Sequence, residues 1–223
     1  MNWGPIILTI QLAFVVTIIL FVISIPLAYW LAHTKRKFKP IIETLVSMPL
    51  VLPPTVIGFY LLVIFSPTGW LGGWLQDVFH FQLVFSFGGL VIGSVIYSLP
   101  FMVHPIQAGF ANLPKGLTEA SFVLGKSRFT TLVKVLLPNI KPSLLTGIVL
   151  AFAHTVGEFG VVLMIGGNIP DKTRVASIAI YDEVEALNYG VANAYSIVLF
   201  LLAFFILLTV YLVNGRYIRK FWR

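Results

Sequence analysis

LPKGLTEASFVLGKSRFTTLVKVLLP, residues 113–138, lies between two long apolar blocks and is patterned where a plain linker would not be. In its first half Leu117, Ala120, Ser121 and Leu124 recur at helical spacing and predict one shared face. Thr118 is a candidate N-cap, and Glu119 sits where a helix start favours negative charge. Gly125 supplies the left-handed residue that ends a helix. A second amphipathic helix follows, with Phe129, Leu132, Val133 and Leu136 apolar, and runs to Pro138. A segment this short is no domain. A short rigid helix suits insertion into a groove of another protein.

The sequence on either side belongs to a membrane. Of 223 residues 58% are hydrophobic and 10% charged, against roughly 25% charged in an ordinary soluble domain. Apolar blocks at 5–32, 41–65, 87–110, 142–165 and 193–214 approach or exceed the ~20 residues needed to cross ~30 Å of hydrocarbon. The expected fold is all-α and polytopic, with five transmembrane helices in one domain over 6–214. Of the 15 Lys and Arg, four lie in 33–40, five in 111–141 and four in a basic tail at 215–223, leaving Lys172 and Arg174 elsewhere. Basic loops remain on the cytoplasmic side, so the N-terminus is expected outside and the C-terminus inside. The first span, followed by basic residues and lacking a small-residue cleavage site, reads as retained. The net charge of +7 is thus topological, and no nucleic-acid partner is expected. With no cysteine, disulfides are excluded.

The two outer connections are less basic. Residues 66–86 mix Trp70, Trp74, Phe79 and Phe81 with Gly72 and Gly73, which suits a segment at the membrane interface. Within 166–192, VASIAIYDEVEAL at 175–187 predicts a short external helix, either a solvated cap or a docking surface for an external solute-binding protein.

Glu119-Ala120-Ser121, three residues, Gly125, nine residues, and Val135-Leu136-Leu137-Pro138 resemble the inner-loop signature of ABC importer permeases. That signature reads Glu-Ala-Ala, three residues, Gly, nine residues, Ile-x-Leu-Pro; Ser121 and Val135 depart from it conservatively. The resemblance implies that Glu119, Ala120, Ser121, Leu124 and Gly125 belong to a coupling helix seated on a separate ATPase, with Pro138 closing the motif. Ala120 to Ser127 also satisfies a loose phosphate-loop pattern. Its intervening residues are bulky, no strand precedes them, and about thirty residues make no nucleotide-binding domain. The chain is therefore expected to be no enzyme and to bind no cofactor or metal, with ATP used by the partner.

Two further segments resemble the molybdate branch of that family. Met48-Pro49-Leu-Val-Leu-Pro53-Pro54-Thr55-Val-Ile-Gly58 places three prolines where each removes a helical hydrogen bond, so this span is expected to be kinked or broken. Such irregularity survives in a membrane beside protein or a water-filled path; it is either a pore-lining hinge or a packing kink. Ala151-Phe-Ala-His154-Thr-Val-Gly157-Glu158-Phe159-Gly160 is followed by Gly167-Asn-Ile-Pro170. Leu-Pro-Pro, Gly-Glu-Phe-Gly and Gly-Asn-Ile-Pro are the molybdate-branch strings. Sulfate permeases carry similar ones, often with Tyr after the Glu, and tungstate permeases depart more there.

His154 and Glu158, four apart, are expected to share a face in the outer half of the fourth span. They read either as a proton relay or half a metal site, or as a hydrogen-bonded pair in the bundle, with Gly157 and Gly160 permitting close helix contact. Gly89 and Gly93 offer a similar small-residue face. Family members commonly carry Arg in place of His154, so no fixed positive charge is available there to attract an anion. The resemblance implies a homodimeric pore in a prokaryotic inner membrane, two ATPase subunits, an external binding protein and an oxyanion, molybdate before tungstate or sulfate. A proton-coupled secondary transporter using His154 and Glu158 is the rival, and it leaves the patterned loop unexplained.

Overall fold

A computed structural model describes residues 2–214; the basic tail at 215–223 lies outside them. Among the described residues the regular structure is helical and no strand occurs. Three helices are long and apolar enough to cross a membrane: α1 (Gly4–His33), α5 (Phe87–Ala111) and α12 (Tyr189–Asn214, tested to Thr209). Counting each of two sharply bent helix pairs as one span brings the number to five.

The second apolar block is broken, as its prolines predict. α2 (Lys39–Val51) and α3 (Pro54–Phe65) meet at 112°. Leu52 and Pro53 between them are extended, with ψ of 138° and 137°. Pro49 sits inside α2, where it is buried. α4 (Trp70–Phe79) occupies the aromatic connection at 66–86.

The fourth block departs from expectation. The helix read over 142–165 is two: α9 (Lys141–Gly157) and α10 (Gly160–Gly166). Glu158 and Phe159 interrupt it, Glu158 being extended with ψ 134°. α9 alone is 17 residues, about 26 Å of helix. A 79° bend at Ile140 joins it to the helix before it.

α5 is the axis of the bundle, packed against α1, α2, α9 and α10. Leu90, Met102, Val103, Ile106 and Phe110 of α5 meet Leu12, Val16, Leu20 and Leu31 of α1 in the main apolar core. A smaller cluster of Ile6, Ala176, Ala179 and Tyr195 joins the start of α1, α11 (Ala176–Glu185) and α12. There the Tyr195 hydroxyl donates to the Asn2 carbonyl at 2.7 Å, and the Ala176 amide donates to Thr9 Oγ1 at 2.8 Å. α12 exposes Ile197, Phe200, Leu201, Phe204 and Phe205, an apolar face that matches lipid.

Candidate functional site

The patterned loop folds into two short helices joined by a tight turn. α6 (Lys115–Val123) begins after Pro114, which stands at the N-cap with φ −58° and ψ 129°. Thr118 is therefore inside the helix and does not cap it: the fixed ring of Pro114 starts the helix one turn earlier. Gly125 adopts φ +69° as expected. Its amide donates to the Phe122 carbonyl at 2.9 Å and the Lys126 amide to the Ser121 carbonyl at 3.1 Å. These two bonds form a Schellman closure.

The predicted shared face is split by the fold. Leu117 and Ser121 turn toward the chain, whereas Ala120 and Leu124 are exposed. Leu124 is 73% exposed and Phe129 75%, and Phe122 and Val123 are exposed beside them. Glu119 is exposed and makes no hydrogen bond or ion pair among the described residues. An apolar patch with a free carboxylate at its edge has no partner among the described residues, which is unusual for a surface kept in water.

Beyond Gly125, α7 (Arg128–Thr131) is capped by Ser127, whose Oγ accepts from the Thr130 amide at 3.2 Å. A π-helical turn over Leu132–Leu136 follows, then α8 (Leu137–Asn139), which holds exposed Pro138. Leu136 and Ile140 anchor this strut in the core, so α6 connects to α9 through a short, irregular and well-seated path.

The two breaks in the membrane-spanning region lie side by side. An added Cβ at Gly160 would stand 2.7 Å from the Pro54 Cβ, and one at Gly58 would stand 2.6 Å from the Met164 Cβ. Both pairs advance by four residues in the same direction, so α3 and α10 run parallel from adjacent starts. Gly93 of α5 completes the contact: its added Cβ would lie 3.0 Å from Val161 Cγ1. Gly160 thus permits the close approach expected of it. Gly157 does not, being exposed with nothing within 4 Å of an added Cβ. Gly89 instead faces the preceding loop, where an added Cβ would stand 2.2 Å from the Leu83 carbonyl oxygen.

His154 and Glu158 do not pair. The helix ends at Gly157, so the four-residue spacing no longer sets a common face. His154 stacks on Phe101 with centroids 4.0 Å apart, and its Nδ1 lies 2.9 Å from Ser98 Oγ. Ser98 Oγ is also 3.0 Å from Thr155 Oγ1, which donates to the Ala151 carbonyl at 2.9 Å. With the Thr155 proton committed, Ser98 donates to Thr155 and accepts from His154, which places the imidazole proton on Nδ1. Glu158 is 4% exposed and neither carboxyl oxygen has a hydrogen bond of regular geometry. It faces the Ser94 hydroxyl, itself buried and unbonded. The backbone at the break is held from outside the membrane segments, because Ser177 Oγ of α11 donates to the Glu158 carbonyl at 2.6 Å.

Several of these groups escape a reading by motif. Ser94 and Ser98 are four apart in an apolar block, a legible signal that α5 carries a polar stripe toward the break. Ser47, 3.1 Å from His104 Nε2, and Glu43, which accepts from Gln107 Nε2 at 2.7 Å, tie α2 to α5. Asn168 binds both Asp182 and Arg174, and Arg174 pairs with Asp182 at 3.3 Å, closing the Gly167–Pro170 loop on α11. Among the described residues no cluster of three or more His, Cys, Asp or Glu could hold a metal.

Known proteins are similar to this chain in sequence and in fold. The Azotobacter vinelandii molybdenum transport system permease protein ModB is 45% identical over 204 residues, covering 92% of this chain and 90% of that protein. The probable sulfate transport system permease protein cysT of Chlorella vulgaris is 34% identical over 214 residues, 96% of this chain and 79% of that protein. Among solved structures, a bacterial alginate ABC transporter in complex with alginate pentasaccharide-bound periplasmic protein matches with a TM-score of 0.77 at 19% identity, over 96% of this chain and 78% of that one. The inward-facing MetNI methionine ABC transporter matches with 0.72 at 18% identity, over 95% and 93%. The model of binding-protein-dependent transport system inner membrane components matches residues 24–220, and the chain belongs to that family.

Proposed function

We propose that this chain is the translocation subunit of an ATP-driven importer, that two copies enclose the pore, and that the anion carried is molybdate. The likeness to a molybdenum permease along nine-tenths of both chains carries the reading. The exposed apolar patch on α6 and α7 supports it, because a separate ATPase is the partner such a patch requires. The N-terminus lies outside and the C-terminus inside, as the Lys and Arg distribution favours. α6 of each copy seats on one ATPase subunit, and an external binding protein delivers the anion to the opposite face.

Closure of the ATPases draws the two α6 helices together. The motion passes through α7, the π-helical turn and α8 to the base of α9. α9 ends at the Glu158 break, against which the parallel α3 and α10 start, so a shift there opens or closes the path. No Lys or Arg occurs in 40–114, 142–171 or 175–215, so the spans carry no fixed cationic cage for an oxyanion. Selection is left mainly to the binding protein. Sulfate is the competing cargo, since sulfate permeases are also similar and both anions are tetrahedral dianions. The proton-coupled alternative needs His154 and Glu158 to exchange a proton, and each instead faces a different serine.

Co-expression with the ATPase tests the assembly. The two proteins are expected to purify together in detergent as a two-to-two complex by native mass spectrometry. Replacing Leu124 and Phe129 together by Asp is expected to weaken the ATPase association by about tenfold or more, as for buried apolar anchors elsewhere. A wild-type chain that runs alone beside its ATPase, or a doubly charged patch that binds as tightly as before, contradicts this docking.

A further inference from the structure

Ser121 and Thr131 are polar, belong to different helices of the loop, and are 4% and 1% exposed. Their hydroxyl oxygens are 2.8 Å apart. Thr131 Oγ1 donates to the Ser127 carbonyl at 2.9 Å, which uses its one proton. Ser121 must therefore donate to Thr131, and the chain of bonds runs from α6 through α7 to the residue that caps α7. Ser127 is itself tied to α7, since its own Oγ receives the Thr130 amide. Ser121 is held a second way, through its carbonyl and the Lys126 amide at 3.1 Å.

The surroundings make this pair more than local decoration. Every large side chain of the turn points outward: Phe122, Val123, Leu124 and Phe129 are all exposed. Little of the turn's own apolar surface joins α6 to α7, and the hydroxyl bond is a buried side-chain tie between them. A buried hydroxyl that loses its partner costs more than the bond itself contributes, so the satisfied pair favours one angle between the helices. Ser121 stands where the permease signature has alanine, so the donor is an addition at this position and not a signature residue.

We propose that the Ser121–Thr131 hydroxyl pair is a clamp that makes α6, Gly125 and α7 one rigid lever, so that ATPase motion passes Thr131 without being lost at the Gly125 corner. This rests on the reading of α6 as the ATPase contact. The Gly125 turn is then a fixed corner, locked by two backbone bonds and the hydroxyl pair. The lever hands its motion to the π-helical turn over Leu132–Leu136 and the 79° bend at Ile140, which Leu136 and Ile140 seat in the core; π-helical turns are less regular than α-helix and concentrate at functional sites. Ser121 and Thr131 act as positioning residues, since they need not touch the ATPase themselves.

The test is made on the intact complex in proteoliposomes with its ATPase and a molybdate-loaded binding protein, reading ATP hydrolysed per molybdate carried. Thr131→Val keeps the shape and removes the acceptor hydroxyl; Thr131→Ser keeps the hydroxyl. Thr131→Val is expected to raise the ratio by about fivefold, the scale of one buried hydrogen bond lost from a two-state balance. Thr131→Ser is expected to restore it to within about twofold of wild type, and Ser121→Ala added to Thr131→Val to cost less than the sum of the two single changes. Should Thr131→Val misassemble, Ser121→Ala alone, which restores the signature residue, is expected to raise the ratio in the same direction. A wild-type ratio in both Thr131→Val and Ser121→Ala overturns the clamp, as does equal damage from Thr131→Val and Thr131→Ser. Wild-type complexes whose hydrolysis ignores loaded binding protein overturn the coupling reading and the clamp together.

Discussion

Gly125→Val is expected to leave the chain inserted and assembled but to reduce molybdate uptake and stimulated ATP hydrolysis together by about tenfold. The cause is conformational and not steric. An added Cβ at Gly125 meets nothing within 4 Å, yet the residue holds φ +69°. A left-handed conformation costs a residue with a Cβ about 1–2 kcal/mol, and a β-branched one is a genuine outlier there; 1.4 kcal/mol is a factor of ten. The chain escapes by opening the turn, which breaks the Schellman bonds from Gly125 and Lys126 and misplaces α6 on the ATPase. Gly116 provides the control. It lies within α6 with equally open space and an ordinary φ, so Gly116→Ala should be tolerated and should favour the helix slightly. Glu119→Gln should also be mild, since an exposed charge contributes about 1 kcal/mol or less. Gly125→Val complexes with wild-type uptake and stimulation would exclude this corner from the transmission path.

The second large effect belongs to the parallel half-helices. Gly58→Leu places a Cβ 2.6 Å from the Met164 Cβ and 3.3 Å from the Val161 backbone. Neither neighbour is the free end of a flexible side chain, so α3 and α10 must separate. Overpacking of this kind costs about 1–3 kcal/mol, and further separation would disturb Pro54 against Gly160. The expected result is a loss of folded, ATPase-bound complex, read as a lower melting temperature in detergent and a smaller dimeric peak. Gly157→Ala, at an exposed position with open space, is expected to leave that melting temperature unchanged. Equal stability of the Gly58→Leu and wild-type complexes would mean that α3 and α10 do not pack as described.

The apolar blocks were legible because about twenty residues of low polarity have few other uses, and the basic loops between them suggested an orientation. Gly125 was legible because a helix that stops at glycine after an apolar turn usually stops left-handed. Pro53 and Pro54 announced the break in the second block by chemistry alone. The break at Glu158 carried no such mark: Gly157 and Gly160 are tolerated in membrane helices, and Val156 and Phe159 continue the apolar run. It depends on distant residues, with Ser177 bonded to the Glu158 carbonyl and Pro54 pressed on Gly160, and neither is local in sequence. The same limit explains the pairing expected of His154 with Glu158, since spacing implies a shared face only while the helix continues. On α6, periodicity located an apolar stripe but not which part the chain covers. Ser121 turned inward because Thr131, ten residues on, receives its hydroxyl.

The ionisable residues of the fourth block illustrate how geometry revises chemistry. His154 is satisfied by Ser98 and by aromatic stacking on Phe101, with Tyr97 tilted 4.9 Å away. Glu158 holds a place where the backbone turns, beside Ser94. These are the groups of a packed bundle around a break.

Oxyanion uptake by reconstituted vesicles separates an ATP-driven molybdate importer from its rivals. The chain, its ATPase and the external binding protein are incorporated together, ATP is sealed on the ATPase side, and labelled molybdate or sulfate is offered on the other. ATP-dependent accumulation of molybdate that requires all three proteins is expected, with sulfate accumulated far less. Molybdate accumulation without ATP or ATPase, or accumulation driven by a proton gradient alone, would contradict it.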